Sequence, residues 1–199
     1  MNSQWIMSFE NLMSETEVKA LRAVLEAGAI VAKSKAHQGP VRDQCIVELA
    51  LGTGLRVSEI SQLKLLDIDL KRGGNSLIVR HGKRGDKSRV VKFSSTLKTL
   101  ILEYIEYRAK DSEYLFQTER QNYASSNALQ KAFKKSAKKA GLPARYSIHS
   151  CRHYYATALL KVSRNLRLTQ VQLGHSNPQT TTVYAQVLDE EITEAVEKL

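Results

Sequence analysis

Side chains suited to catalysis are concentrated towards the end of the chain. His149 and Arg152 lie three residues apart, His175 follows Gly174, and Tyr184 comes shortly after. A phenol can act as a nucleophile, an imidazole can take its proton, and a guanidinium can hold two phosphate oxygens through paired N–H bonds. This combination predicts a site that attacks a phosphodiester.

A second arginine lies in the first half of the chain, at a glycine-marked turn. Arg56 stands within residues 53–59, Thr-Gly-Leu-Arg-Val-Ser-Glu, and Glu59 lies three residues further on, on an adjacent turn of the same helical face. The negative charge of a phosphodiester moves onto its non-bridging oxygens in the transition state. We expect Arg56 and Arg152 to hold these oxygens, each contributing roughly 3 to 5 kcal/mol of transition-state stabilisation.

The proposed nucleophile needs groups that move protons. An unperturbed tyrosine has a pKa of about 10, so Tyr184 requires nearby positive charge or a base, and His149 or His175 could serve. The leaving 5′ oxygen requires an acid, and Lys83 suits this role if the adjacent arginines lower its pKa. Lys87 lies in the same turn and is the alternative. No Asp and Glu cluster accompanies the site, so we expect neither a metal ion nor another cofactor.

The elements that must position these residues are mostly helical. Apolar periodicity, capping residues and glycines predict two strands that form a hairpin, at about 77–79 and 90–93. They predict helices at about 14–35, 40–52, 55–63, 95–105, 125–140, 148–160 and 168–173, a further helix opened by Asn177-Pro178 that carries Tyr184, and a last helix at 189–199. We therefore predict a mainly α protein with one small antiparallel β-sheet (α+β).

The chain is basic, and its cations are clustered. Lys and Arg total 30 against 20 Asp and Glu, a formal charge of +10 in 199 residues. Such an excess fits a polyanionic partner, although it also fits a protein kept soluble by self-repulsion. Two clusters are candidates for DNA backbone contact: Arg84, Lys87 and Arg89 in the hairpin, and Lys131, Lys134, Lys135 and Lys138 on one helix face. For the helix lysines, a solvated surface is the alternative.

The cysteine count and the hydrophobic pattern indicate the kind of protein and its compartment. Cys45 and Cys151 are too few for a disulfide framework or a zinc cluster, and their apolar surroundings predict buried thiols. No apolar run is long enough to span a membrane, and residues 1–10 do not have the pattern of a secretory signal. We expect a cytoplasmic protein that does not bind membranes.

Taken in order, these motifs resemble the tyrosine recombinase, or phage integrase, family. The matching segments are 53–59, the His149-x-x-Arg152 pair, Leu-Gly-His at 173–175, and Thr-Thr-x-Tyr ending at Tyr184. The resemblance spans about residues 12–188. It implies the catalytic-domain fold of the DNA breaking-rejoining enzymes. It also implies a set of functional residues: Arg56, Lys83, His149, Arg152 and His175 as catalytic groups, Tyr184 as nucleophile, and Glu59 as a supporting carboxylate.

The resemblance further implies a reaction and its partners. The expected function is site-specific recombination (integration, excision or inversion) through a 3′-phosphotyrosyl link and a free 5′ hydroxyl, followed by attack of a hydroxyl from a partner duplex. The expected partner is double-stranded DNA with a specific site. We expect a homotetramer on DNA, and a monomer or weak oligomer without it. The alternatives are a non-catalytic DNA-binding regulator of the same fold and a topoisomerase of similar chemistry.

The resemblance also suggests a domain organisation. We expect an N-terminal tail at 1–11, a catalytic domain at 12–188, and a C-terminal helix at 189–199 that docks on a neighbouring protomer. Most relatives carry a helical core-binding domain before the catalytic domain, whereas about a dozen residues stand there in this sequence. This arrangement indicates either a short form, as in the fimbrial inversion recombinases, or a truncated one.

Overall fold

The structure is a computed structural model that describes residues 11–80, 88–108, 112–118, 122–174 and 196–197. Within these residues it contains seven α-helices, a short 3-10 turn at Leu65–Asp67 and three strands. The helices are α1 Glu15–Ser34, α2 Gln38–Thr53, α3 Val57–Ser61, α4 Ser95–Tyr107, α5 Ser126–Lys139, α6 Ile148–Ser163 and α7 Leu166–Leu173. The strands are β1 Ile68–Asp69, β2 Ser76–Val79 and β3 Arg89–Lys92.

Helix starts follow local capping chemistry. Ser14 and Glu17 form a reciprocal capping box at the start of α1, which satisfies two N–H groups that have no partner within the helix. Ser94 and Ser125 accept from backbone N–H groups at the starts of α4 and α5. These three starts confirm the sequence predictions. The start of α7 lies two residues earlier than predicted, because Asn165 caps it by accepting from the N–H of Leu168.

The three strands form one antiparallel sheet in the order β1-β2-β3. The predicted hairpin of β2 and β3 is confirmed, with Leu77 opposite Val91 and Val79 opposite Arg89. The sequence predicted only two strands, whereas Ile68 and Asp69 form a third that pairs with the other edge of β2. A strand of two residues is too short for alternation to be visible in the sequence.

Helix α2 lies at the centre of the core. Nine of its residues are buried, including Ile46, Leu49 and Cys45, because α1, α4, α5 and α6 pack around it. Cys45 and Cys151 are both buried free thiols, as predicted, and burial raises the pKa of each well above its ordinary value. Among the described residues, no helix combines the length and apolarity needed to cross a bilayer.

Candidate active site

Four of the seven residues predicted to act in catalysis or to support it fall in the described part of the chain: Arg56, Glu59, His149 and Arg152. The other three, Lys83, His175 and Tyr184, lie outside the described residues. So do two of the proposed DNA contacts, Arg84 and Lys87. The predicted helix that carries Tyr184 and most of the predicted C-terminal helix also lie outside them.

A glycine turn determines where Arg56 lies. Gly54 ends α2 in the left-handed conformation, with φ +63°, and Arg56 is the residue before α3. A Cβ on Gly54 would lie 2.5 Å from Cδ1 of Tyr155 and 2.7 Å from Cδ2 of Leu173. The backbone at Gly54 therefore packs directly against α6 and α7, and only glycine fits both the space and the dihedral angle.

Glu59 joins two arginines from separate elements. Its Oε2 accepts from the backbone N–H of Arg56 at 2.8 Å, and its Oε1 accepts from Nη1 of Arg56 at 3.1 Å. Arg89, at the start of β3, donates to Oε1 at 2.8 Å and to Oε2 at 2.9 Å. Burial alone would raise the pKa of Glu59, but the hydrogen bonds and charge of Arg89, with those of Arg56, lower it below its ordinary value.

Arg152 connects three distant segments. Its side chain projects from α6 and the residue is only 6% exposed. Nη1 donates to the carbonyl oxygen of Gly54 at 2.5 Å, and Nη2 donates to the carbonyl oxygen of Leu173 at 2.9 Å. These two bonds hold the guanidinium next to the turn that precedes Arg56 and next to the end of α7. Because His175 follows Gly174 directly, the Leu173 carbonyl that Arg152 binds is only two positions before the second predicted imidazole.

His149 lies in the first turn of α6, where Ser147 accepts from its backbone N–H at 3.3 Å. Burial lowers the pKa of His149 below its ordinary value, and the charges of Arg152 and Arg56 lower it further. The imidazole is therefore neutral at pH 7 and able to accept a proton. Arg56, His149 and Arg152 come from distant parts of the sequence, and the structure brings them together.

One residue near this cluster was not singled out from the sequence. His153 lies half-buried one helical turn after His149. Burial, with the nearby His149 and Arg152, lowers the pKa of His153 to about 4. Its spacing of four residues from His149 was the available signal, because such residues share one helix face.

Arg89 does not lie where the hairpin interpretation suggested. It was expected to reach towards DNA, but its guanidinium is directed to Glu59 and its side chain is only 16% exposed. The physical reason is strand alternation, because Arg89 lies two residues before the buried Val91 and so shares its inward face. Period-2 alternation could have indicated this from the sequence.

Helix α7 is fixed to the sheet beside this ion pair. The side-chain amide of Gln172 donates to the carbonyl oxygen of Lys92 at 2.6 Å and accepts from its N–H at 3.4 Å. Gly174 then ends α7 in the left-handed conformation, with φ +67°. A Cβ on Gly174 would lie 2.6 Å from Nε of Arg89, so the Arg89 side chain lies directly against this turn.

The basic face predicted on α5 is present. Leu129, Ala132 and Phe133 are buried, whereas the four lysines on the opposite side are exposed: Lys131, Lys134, Lys135 and Lys138. Nζ of Lys134 donates to the carbonyl oxygen of Ala144, next to Arg145. The exposure agrees with the predicted orientation of the helix, and DNA contact by these lysines stays a prediction.

The charges around the site favour an anion. Three guanidinium groups, Arg56, Arg89 and Arg152, lie in the same region as one carboxylate, Glu59, so the cluster retains net positive charge. Within the described residues, no group of three or more His, Cys, Asp or Glu side chains is arranged to hold a metal ion. The described side chains thus supply fork-shaped cationic donors, which match phosphate oxygens.

Comparisons with known proteins agree with this site and fold. The model of the phage integrase family matches residues 12–191. The chain therefore belongs to the phage integrase family.

Curated relatives are tyrosine recombinases. The chain is 39% identical over 161 residues to tyrosine recombinase XerA of Pyrococcus horikoshii, covering 79% of this chain and 55% of the relative. It is 37% identical over 189 residues to XerA of Pyrococcus furiosus, covering 94% and 60%. The chain thus spans a little over half the length of these relatives.

Solved structures confirm the predicted fold. A crystal structure of XerA recombinase superposes with a TM-score of 0.76 at 30% identity, covering 92% of this chain and 63% of that chain. XerH site-specific recombinase in a post-cleavage complex with a palindromic difH substrate gives a TM-score of 0.80 at 22% identity, covering 98% and 55%, a likeness of fold alone. The mainly α architecture with a small antiparallel sheet is that of the tyrosine recombinases.

Proposed function

We propose that this chain is the catalytic part of a site-specific DNA recombinase that cleaves and rejoins DNA through a 3′-phosphotyrosyl intermediate. The observation that supports this most strongly is the convergence of Arg56, His149 and Arg152, which are separated by up to 96 residues, the difference between positions 56 and 152. The net positive charge of the cluster suits the negative charge of a phosphodiester, and the relatives are named tyrosine recombinases.

In the proposed reaction, Oη of Tyr184 attacks phosphorus and the bond from phosphorus to the 5′ oxygen breaks. The phenol proton passes to His149 or His175, and Lys83, with Lys87 as the alternative, gives a proton to the leaving 5′ oxygen. Attack by a 5′ hydroxyl of a partner duplex then reverses these steps and releases the tyrosine. Arg56 and Arg152 hold the non-bridging oxygens throughout.

The buried position of Arg152 supports its role. Two backbone carbonyl groups already fix its guanidinium, so no reorganisation is required as negative charge develops on the phosphate. The lowered pKa of His149 supports its role as a proton acceptor, because the neutral form predominates at pH 7.

We also propose the partners and setting of the reaction. The substrate is double-stranded DNA with a specific site, as the difH substrate is for XerH recombinase. We propose that four copies of the chain assemble on it. The arginine and imidazole groups supply the charge stabilisation without a metal ion or other cofactor. Residues 12–188 form the catalytic domain, 1–11 a tail and 189–199 a helix that docks on a neighbouring protomer. The protein acts in the cytoplasm.

Covalent capture tests the proposal. The chain is incubated with a library of nicked duplexes, in which loss of a short 5′ fragment traps the adduct, and the modified peptide is identified by mass spectrometry. We expect an adduct on Tyr184, absent in Tyr184→Phe although DNA retardation persists. The matched control is Tyr123→Phe, which alters a partly exposed tyrosine of the described surface and should leave the adduct intact.

Other outcomes would assign another function. DNA binding without any adduct would indicate a non-catalytic regulator, and relaxation of plasmids without site preference would indicate a topoisomerase. An adduct that survives in Tyr184→Phe would show that the nucleophile is a different residue.

A further inference from the structure

The carboxylate of Glu59 has two arginine partners that compete for it. Arg89 takes one N–H bond to each carboxylate oxygen, the bidentate geometry preferred by arginine and carboxylate pairs. Within the described part of the chain, the Arg56 side chain gives Glu59 one hydrogen bond, from Nη1. The Arg56 side chain is 40% exposed, compared with 16% for Arg89. Arg89 is thus the inner partner of Glu59, and Arg56 is the outer one.

The packing around Arg89 keeps it in this position. Its Nε lies 3.4 Å from the carbonyl oxygen of Gln172, and its side chain lies against the Gly174 turn, where a Cβ would approach Cδ and Cζ within 2.7 Å. The strand pairing of Arg89 with Val79 fixes its backbone. The guanidinium therefore has a defined orientation towards Glu59, and it is a structural link between β3, α3 and the end of α7.

The charge balance gives this arrangement a functional consequence. Arg56 and Arg89 share one negative charge, so the pair retains one net positive charge. Without Arg89, the carboxylate of Glu59 would meet Arg56 alone and could take its guanidinium in bidentate fashion. Such an ion pair would neutralise Arg56 and would occupy the N–H groups that the proposed function requires for phosphate oxygens.

We propose that Arg89 is a positioning residue for Arg56. By occupying both oxygens of Glu59, Arg89 restricts this carboxylate to a supporting contact and leaves the Arg56 guanidinium available to the phosphate. This inference rests on the proposed function, since it assumes that Arg56 binds the reacting phosphate. It replaces the expected contact of Arg89 with DNA.

The test measures cleavage and binding separately in Arg89→Met. Single-turnover cleavage of the captured duplex should slow by about 10- to 100-fold, less than the full loss of a directly contacting donor, because Arg56 is still present. The dissociation constant for DNA should change by less than about threefold, since Arg89 faces inward. A slowed cleavage that is fully explained by weaker binding would contradict the proposal.

A second variant separates positioning from folding. In Arg89→Met, the additional change Glu59→Gln removes the charge that would capture Arg56, so the double variant should cleave faster than Arg89→Met, by about tenfold. If Arg89 served the fold alone, loss of a second partner of the same cluster would slow cleavage further. A double variant as slow as or slower than Arg89→Met would therefore overturn the inference.

The matched control is Arg80→Met. Arg80 also lies at the base of the β2–β3 hairpin and pairs with a carboxylate, Asp67, but it is 60% exposed and the carboxylate is not that of Glu59. The cleavage rate of Arg80→Met should equal that of the unaltered chain.

A conservative variant, Arg89→Lys, keeps the charge but loses the bidentate geometry. Its cleavage rate should lie between those of Arg89→Met and the unaltered chain. If Arg89→Met melts below the assay temperature, Arg89→Lys replaces it in the test. Failure of the unaltered chain to form an adduct would refute the proposed function itself, and the role of Arg89 with it.

Discussion

The glycine at the end of α2 allows a quantitative test of how tightly the site is built into the core. Gly54→Ala introduces a methyl group into a left-handed residue, at a cost of about 1–2 kcal/mol. The same methyl group would lie 2.5 Å from Tyr155 and 2.7 Å from Leu173. Overpacking of this kind costs about 1–3 kcal/mol. The free energy of unfolding should therefore fall by roughly 2–5 kcal/mol, which for a chain of this length lowers Tm by about 4–20 °C.

Gly141 provides the matched control. It also follows a helix, has φ +71°, and has no atom within 4 Å of the position that a Cβ would take. Gly141→Ala should therefore cost the dihedral term alone, about 1–2 kcal/mol. The difference between the two variants isolates the packing of the Gly54 turn against α6 and α7.

The assay has two parts. Urea unfolding of both variants gives the stability difference. Single-turnover cleavage, measured at a temperature at which both variants are folded, gives the effect on the site. We expect Gly54→Ala to lose more than about tenfold in rate, because displacement of this turn moves Arg56 and the carbonyl oxygen that holds Arg152. Equal losses of stability and of rate in the two variants would refute this account.

Two further predictions follow from the described charges. Because burial lowers the pKa of His153 to about 4, the unfolded chain binds a proton there more readily than the folded chain, and acidification through pH 6.5 towards 4 should destabilise the fold. In urea unfolding at pH 7.5 and 4.5, the loss of stability between the two pH values should be smaller in His153→Gln by roughly 2–3 kcal/mol and unchanged in the exposed control His37→Gln. If the exposed lysines of α5 contact phosphates, their joint replacement by alanine should reduce the slope of log DNA affinity against log salt concentration by up to about 3–4: Lys131, Lys134, Lys135 and Lys138. The control Lys19→Ala on α1 should leave this slope unchanged. An unchanged slope in the fourfold variant would show that these lysines form a solvated surface.

Helix positions were predictable because their determinants are local. Serine caps and apolar periodicity indicated α1, α4, α5 and α6, and β-branched runs on either side of a glycine-containing turn indicated the β2–β3 hairpin. Strand β1 was missed, because its two residues are held by pairing with β2 and not by any pattern of their own. The sequence also indicated Arg56, Glu59, His149 and Arg152 through motifs that carry the chemistry.

The partners of these residues were not predictable from local patterns. Arg152 donates to carbonyl oxygens 98 positions earlier and 21 positions later, and a carbonyl acceptor has no signature in the sequence. Arg89 was interpreted as a DNA backbone contact because basic residues are clustered in the hairpin, although it shares the inward face of β3 with Val91. The competition of Arg56 and Arg89 for Glu59 depends on the fold, because Arg89 lies on a different element and contacts Glu59 only in the folded chain.

The same interactions that position the site also stabilise the fold around it. Arg152 is buried with its charge, and the two carbonyl groups it binds would be left without this donor if it were removed. Loss of a partner from a buried polar cluster costs about 1–3 kcal/mol for each unsatisfied group. Variants of Arg152 should therefore lower stability as well as activity, whereas variants of the more exposed Arg56 should lower activity with little change in stability. Measured together, unfolding and cleavage thus distinguish an arginine that builds the site from one that mainly serves the substrate.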